Sequence, residues 1–161
     1  MGHYYYHKDG DNLFVRMQGK MKYTSSVGFD KFVAEFSSQD LDSVLVDLQN
    51  VEYIDSTNLG LIAKMAEYLD SRNKQPLTIL STNQDINEVL SSLGFDQVCT
   101  IISTSPGDID YDAIPVKTGT ERDLLKMMVD AHRRLISLSE DNAAIFKDVV
   151  ELMEKDISDR A

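Results

Sequence analysis

The pattern of apolar residues changes abruptly near the middle of the chain. Residues 44–48 (VLVDL) form an almost unbroken β-favouring run, which is typical of a strand covered on both faces. Between residues 61 and 69 the apolar side chains recur instead at helical spacing. The segment 54–60 (IDSTNLG) has to join these two patterns. The sequence therefore predicts a buried strand that passes through a tight polar turn into an amphipathic helix.

The polar residues of this turn place a hydroxyl group at the start of the helix. Asp55, Ser56 and Thr57 are residue types favoured at a helix N-cap, where their oxygens accept bonds from the free N–H groups of the first turn. Those N–H groups and the positive end of the helix dipole also suit a phosphate group. Ser56 could therefore gain about −1.5 to −2 charges at neutral pH without unfolding the chain. It is either a plain helix cap or a switch.

The hexapeptide 55–60 (DSTNLG), placed after the strand VLVDLQNVEYI, resembles the signature of the STAS family, the domain of bacterial anti-sigma-factor antagonists. The resemblance covers roughly residues 3 to 103. It implies that a partner kinase phosphorylates Ser56, with Thr57 as the alternative acceptor. Asn58 stands where the pattern usually has Gly. Because Asn tolerates unusual backbone angles better than most residues, we expect the loop to be kept.

The resemblance also implies a mechanism of partner switching. A kinase-type anti-sigma factor, or a multidomain regulator that carries it, would bind the chain while Ser56 is unphosphorylated, and a serine/threonine phosphatase would reverse the modification. The residues expected to contact the partner are Asp55, Ser56, Thr57, Asn58, Leu59, Gly60 and Ile62. No cofactor or metal ion is expected. The alternative function is a non-catalytic STAS scaffold subunit of a signalling or membrane-associated complex.

Charge and composition narrow the classes of partner. The formal charge of −11 and the isoelectric point near 4.6 argue against nucleic acid and anionic membranes, whose binding depends on Lys and Arg. Cys99 is the single cysteine, which excludes an intramolecular disulfide and is consistent with a reducing compartment. The start of the chain does not read as a secretory signal, and no apolar run approaches a membrane span of ~18 residues. We therefore expect a cytoplasmic protein with protein partners.

Catalysis by the chain itself is not expected. A Ser-His-Asp hydrolase could be imagined from Asp55, Ser56 and either His132 or His7, but a nucleophile elbow reads G-x-S-x-G, and Ser56 lies between Asp55 and Thr57. The phosphate-loop, H-E-x-x-H and C-x-x-C motifs are missing from the sequence. His132 stands beside two arginines and is expected to be a solvated helix residue.

The remaining elements predict an α/β fold with a STAS-like mixed sheet and helices. Two short strands at 4–7 and 13–17 flank an Asp-Gly turn, and Ser25 or Ser26 can cap a helix that carries four apolar residues on one face. Strands are expected at 77–80 and 98–102, separated by a helix that Asn83 caps and Gly94 ends. Alternating strands and helices favour a mainly parallel sheet, to which the N-terminal hairpin adds antiparallel pairing.

The chain divides into three predicted regions. Residues 1–103 form the STAS domain, 104–119 a linker or irregular loop rich in Pro, Gly and Asp, and 120–158 a C-terminal helical hairpin extension. The resemblance allows the first helix of this hairpin to correspond to the last helix of a STAS domain. The apolar stripes of the two helices are expected to pack within the chain or to form a homodimer.

Overall fold

The computed structural model describes residues 1–160, which form one six-stranded sheet, six α-helices and a 3-10 helix at Tyr23–Ser25. The strands are β1 (His3–Asp9), β2 (Asn12–Met21), β3 (Ser43–Ile54), β4 (Thr78–Leu80), β5 (Thr100–Ile102) and β6 (Asp112–Ile114). The helices are α1 (Val27–Phe36), α2 (Ser56–Ser71), α3 (Gln84–Ser92), α4 (Phe95–Val98), α5 (Glu121–Leu138) and α6 (Asp141–Asp159). None of the helices between residues 1 and 160 is both long enough and apolar enough to cross a bilayer.

The sheet is mixed, and its strand order is β5-β4-β3-β2-β1-β6. The pairs β2–β3, β3–β4 and β4–β5 are parallel, whereas β1 pairs antiparallel with both β2 and β6. Gly10, in the turn between β1 and β2, has a φ of +59°, a conformation that Gly adopts without strain. The predicted α/β architecture, with a mainly parallel sheet, an N-terminal hairpin and two C-terminal helices, is confirmed.

The two faces of the sheet differ in their cover. Along β2, Val15 and Met17 are buried, while Arg16 between them is part-exposed, so alternate side chains point to opposite faces. On the apolar face the ring of Phe29 in α1 stacks on Tyr4 at a centroid distance of 4.6 Å. On the other face Arg16 is paired with Asp47 of β3 at 3.0 Å. Asp47 is only 2% exposed, so β3 is covered on this face too, although here the cover includes an ion pair.

Two short elements differ from the sequence-based expectation. Residues 95–98 form α4, so the last parallel strand begins at Thr100 rather than at Val98. Gly94, in the left-handed region with a φ of +85°, ends α3 as predicted, but the chain then enters a second helical turn. The segment predicted as a linker or irregular loop, 104–119, contains β6, which pairs with β1 at the edge of the sheet.

The C-terminal helices pack within the chain. A capping box of Thr120 and Asp123 begins α5, which crosses α2, and α6 packs in turn against α5. The crossing of α5 and α2 is close, because a Cβ atom added at Gly60 would lie 2.2 Å from the carbonyl oxygen of Ala131. The buried residues of α5 and α6 thus extend the core over the first turns of α2.

Candidate functional site

Asp55 fixes the junction between the central strand and α2. Its Oδ1 accepts hydrogen bonds from the backbone N–H of Asn58 at 3.0 Å and from the side-chain amide of Asn58 at 2.9 Å. Its Oδ2 accepts a third from the backbone N–H of Tyr23 at 2.6 Å. Asp55 is therefore the N-cap of the helix, and Ser56 is the first helical residue. The carboxylate of Asp55 is fully engaged in holding this turn.

Asn58 lies directly beneath the turn and is completely buried. Its Oδ1 accepts hydrogen bonds from the Tyr4 hydroxyl and from Ser26 Oγ, the latter at 3.2 Å. Burial raises the pKa of Tyr4 above its ordinary value, so its phenol stays neutral and donates. These bonds link α2 to β1 and to the start of α1. We call Tyr4, Ser26, Asp55 and Asn58 the inner cluster.

Asn58 was expected to fit the loop because Asn tolerates unusual backbone angles, and this reason is wrong. Asn58 has ordinary helical geometry, and among residues 1–160 the only non-glycine residue with a positive φ is Asn73. Asn58 fits because both ends of its side-chain amide have hydrogen-bond partners. The NH2 group donates to Asp55, and the oxygen accepts from Tyr4 and Ser26. A glycine could make none of these side-chain bonds.

The hydroxyl of Ser56 contacts a histidine from a distant part of the chain. Ser56 Oγ lies 2.8 Å from Nε2 of His132 on α5, and Nδ1 of His132 lies 2.5 Å from the carbonyl oxygen of Met128. The imidazole is 4% exposed, and its ring centroid is 5.2 Å from that of Phe146 on α6. The expectation of a solvated His132 is therefore wrong. We call Ser56 and His132 the outer pair.

The seven residues predicted to contact a partner fall into two groups. Asp55 and Ser56 are part-exposed at the start of α2. The other five are buried beneath α5 or in the core: Thr57, Asn58, Leu59, Gly60 and Ile62. Thr57, the alternative phosphoacceptor, is only 2% exposed. In this arrangement none of these five residues is accessible to another protein, and their role in binding stays a prediction.

Two tyrosines that the sequence analysis did not single out are exposed in the two segments that adjoin Asp55. Tyr23 follows β2, donates its backbone N–H to Asp55 and is exposed. Tyr53 is the last residue but one of β3 and is 49% exposed. Exposed tyrosines are frequent anchors in protein interfaces, because they combine a large apolar ring with a hydroxyl.

Ion pairs hold α5 along α2 beyond the outer pair. Lys64 Nζ lies 3.1 Å from Asp130 Oδ2, and Arg134 makes two bonds of 3.0 Å to the carboxylate of Glu67. These groups are part-exposed or exposed, so each pair contributes little to stability by itself. No three His, Cys, Asp or Glu side chains within residues 1–160 lie close enough together to hold a metal ion.

The chain is similar to known STAS-domain proteins in sequence pattern and in fold. The family model of the STAS domain matches residues 5–106. An anti-sigma factor antagonist from Mycobacterium paratuberculosis superposes with a TM-score of 0.57 at 13% identity, covering 65% of this chain and 87% of that one. A Thermotoga maritima protein, described provisionally as an anti-sigma factor antagonist, superposes with a TM-score of 0.55 at 25% identity, covering 62% and 85%.

A third solved structure is the anti-sigma factor antagonist SpoIIAA in its unphosphorylated form. It superposes with a TM-score of 0.53 at 11% identity and covers 63% of this chain and 87% of that one. Two of these three structural matches have less than 25% sequence identity to the chain, so they are evidence for a shared fold alone. No curated protein matches the sequence of the chain.

Proposed function

The chain belongs to the STAS-domain family, and from this we propose that it is an anti-sigma-factor antagonist that acts by phosphorylation-dependent partner switching. A kinase-type anti-sigma factor, or a multidomain regulator that carries it, binds the chain while Ser56 is unphosphorylated and so releases its sigma factor. The same partner phosphorylates Ser56, and a serine/threonine phosphatase restores the binding form. The chain itself has no catalytic turnover in this scheme.

The position of the Ser56 hydroxyl is the observation that carries the proposal. The hydroxyl belongs to the first residue of α2, and this residue is part-exposed. The neighbouring hydroxyl of Thr57 is buried, so Ser56 is the one that a kinase could reach in this arrangement. The names of the structural neighbours support the same role.

Charge explains how the modification would end binding. A phosphate adds about −1.5 to −2 charges at neutral pH, and the N-terminus of α2 can accept it without unfolding. A partner surface that packed against the unmodified hydroxyl would have to desolvate that dianion. Such a penalty amounts to several kcal/mol, and each ~1.4 kcal/mol lowers the affinity tenfold. Phosphorylation therefore blocks docking while the fold is kept.

Two substitutions at Ser56 test this scheme. Immobilised Ser56→Ala chain should retain the anti-sigma factor from the cytosol of the source organism, and Ser56→Asp chain should lose it, as measured by quantitative mass spectrometry. Ser71→Asp is the matched control, because it adds the same charge at the other end of α2, ~22 Å away along the helix axis. Equal recovery by the two Ser56 variants would contradict partner switching.

We also propose a homodimer through the C-terminal helices. Ile145, Val149 and Leu152 recur at i, i+4 and i+7 on α6, and all three are exposed, Leu152 to 69%. A second copy of the chain could bury this stripe. Sedimentation of the wild type should then give a dimer, and Leu152→Glu should give a folded monomer. A monomeric wild type at high concentration would remove this part of the proposal.

A further inference from the structure

The outer pair has a property that a phosphorylation switch does not by itself require. A switch needs an accessible hydroxyl, but here that hydroxyl is hydrogen-bonded to a ring nitrogen of a buried histidine. A free serine hydroxyl is a weak nucleophile at neutral pH, and a base within hydrogen-bond reach is the usual way in which proteins activate one. The distance of 2.8 Å between Ser56 Oγ and His132 Nε2 lies within that reach.

The direction of this hydrogen bond follows from the other ring nitrogen. Nδ1 of His132 faces the carbonyl oxygen of Met128, which can only accept, so Nδ1 carries the proton of the neutral ring. Nε2 then presents its lone pair to Ser56, and the hydroxyl donates. The tautomer is thus the one that a proton acceptor for Ser56 requires.

The packing of α5 keeps the imidazole in this orientation. The close approach of α5 to Gly60 fixes the distance between the two helices, and the ring of Phe146 lies against the imidazole. A base that is already oriented does not have to be ordered during the reaction. His132 is therefore held by three separate parts of the chain: α2, α5 and α6.

We propose that His132 is the proton acceptor for Ser56 during its phosphorylation, so that the substrate chain supplies the base for its own modification; this rests on the proposed role of Ser56 as phosphoacceptor. Ser56 Oγ attacks the terminal phosphorus of a nucleoside triphosphate bound by the partner kinase. The Oγ–H proton moves to Nε2, the Oγ–P bond forms, and the bond from that phosphorus to the bridging oxygen breaks. The nucleoside diphosphate leaves with that electron pair.

The step leaves two opposite charges side by side. The protonated imidazole of His132 would lie next to the new phosphate, where it would donate Nε2–H to a phosphate oxygen. The competing explanation is that His132 only fastens α5 to α2 through a hydrogen bond. The two explanations differ for glutamine, whose amide oxygen can accept a hydrogen bond from Ser56 but does not take up a proton at neutral pH.

The test uses a phosphorus electrophile that needs no kinase. Diisopropyl fluorophosphate reacts with a nucleophilic serine by forming an Oγ–P bond as the P–F bond breaks, and fluoride leaves. We expect labelling at Ser56 of the wild-type chain, mapped by peptide mass spectrometry, and none in Ser56→Ala. His132→Gln should react ~100-fold more slowly, at the lower end of what general bases contribute. Arg133→Gln, an exposed neighbour on α5, should react like the wild type.

A second variant guards against indirect effects of the glutamine. His132→Ala should lose most of its reactivity and regain part of it when free imidazole is added, because imidazole can enter the space that the ring has left. Thermal unfolding of each variant checks that it is folded. Equal rates for the wild type and His132→Gln, no labelling of Ser56 in the wild type, or no rescue by imidazole would each overturn the assignment of His132.

The outcomes separate this inference from the proposed function. If Ser56 carries phosphate in cells but its reactivity with the electrophile is independent of His132, the inference fails and partner switching stands. If labelling depends on His132 but Ser56 is never phosphorylated in cells, His132 still activates the Ser56 hydroxyl, but the proposed function fails and with it the role of His132 in a phosphorylation.

Discussion

Asn58 and Ser56 lie two positions apart at the start of α2, yet their surroundings are opposite. Asn58 belongs to the inner cluster, where β1, the start of α1 and the N-cap of α2 meet through buried hydrogen bonds. Ser56 belongs to the outer pair, where a part-exposed hydroxyl has one partner on a separate helix. The difference teaches that the backbone of the turn is fixed from below, so that the hydroxyl above it can change partners without unfolding the site.

The largest effect is expected from removing the inner cluster. Asn58→Leu would remove the amide to which the buried Tyr4 hydroxyl and Ser26 Oγ are bonded, and it would also remove one of the bonds to the part-exposed Asp55. Buried polar groups that lose their partners are costly, so the free energy of unfolding should fall by about 3 kcal/mol. Chemical denaturation measures it. Asn50→Ala, at an exposed position of β3, should stay within about 0.5 kcal/mol of the wild type.

A smaller loss is expected where the two helices cross. In Gly60→Ala the new methyl group would meet the carbonyl oxygen of Ala131, a backbone atom that cannot rotate away. Overpacking of this kind should lower the free energy of unfolding by about 2 kcal/mol, as α5 shifts outwards. The exposed Asp70→Ala on the same helix is the control and should have little effect. An unchanged stability of Gly60→Ala would mean that α5 is not fixed against α2.

Breaking the outer pair should cost less than either change. Ser56→Ala removes one hydrogen bond and leaves Nε2 of the buried His132 without it, which is worth about 1 kcal/mol. The same denaturation experiment compares it with Ser71→Ala at the exposed end of α2. If Ser56→Ala were as destabilising as Asn58→Leu, the hydroxyl would be part of the structural support. The contrast between the two positions would then disappear.

The smallest effect is expected at the ion pair between Glu67 and Arg134. Both side chains are substantially exposed, so Glu67→Gln should lower the free energy of unfolding by about 0.5 kcal/mol or less. The difference from the wild type should shrink further at high salt, because exposed charges are screened. A loss of more than about 1 kcal/mol that high salt abolishes would mean that α5 is attached mainly through its surface charges rather than through its buried contacts.

Much of the fold follows from apolar periodicity and capping residues. The change in the spacing of apolar residues around residues 54–60 locates the end of β3 and the start of α2. The spacing before it puts apolar side chains into the core only from a strand, and the spacing after it only from a helix. Asn83 caps α3 through its side chain as expected. The helix α4 and the strand β6 escaped prediction, because α4 continues into the apolar residues before β5 and β6 lies in a segment rich in Pro, Gly and Asp. Their neighbours in the fold determine them.

Only the part of the site that lies within residues 54–60 was predictable from the sequence. The motif places Asp55 and Ser56 at a helix start, and the structure has them there. His132 was considered beside Ser56 only as part of a hydrolase that was rejected, and nothing in that segment indicates that this histidine, 76 residues further on, turns its ring toward Ser56. That contact depends on where α5 crosses α2, and the crossing is set by the small size of Gly60 and the fit of Ala131. Likewise, the partners of Asn58 lie on other elements, 54 and 32 residues away.

The most direct test of the account compares two pools of the chain from cells of the source organism. One pool is isolated with its anti-sigma partner, the other is free, and the phosphate on each residue is quantified by mass spectrometry. We expect Ser56 to be unmodified in the bound pool and phosphorylated in the free pool. Equal occupancy of Ser56 in both pools, or a phosphate confined to Thr57, would contradict the account.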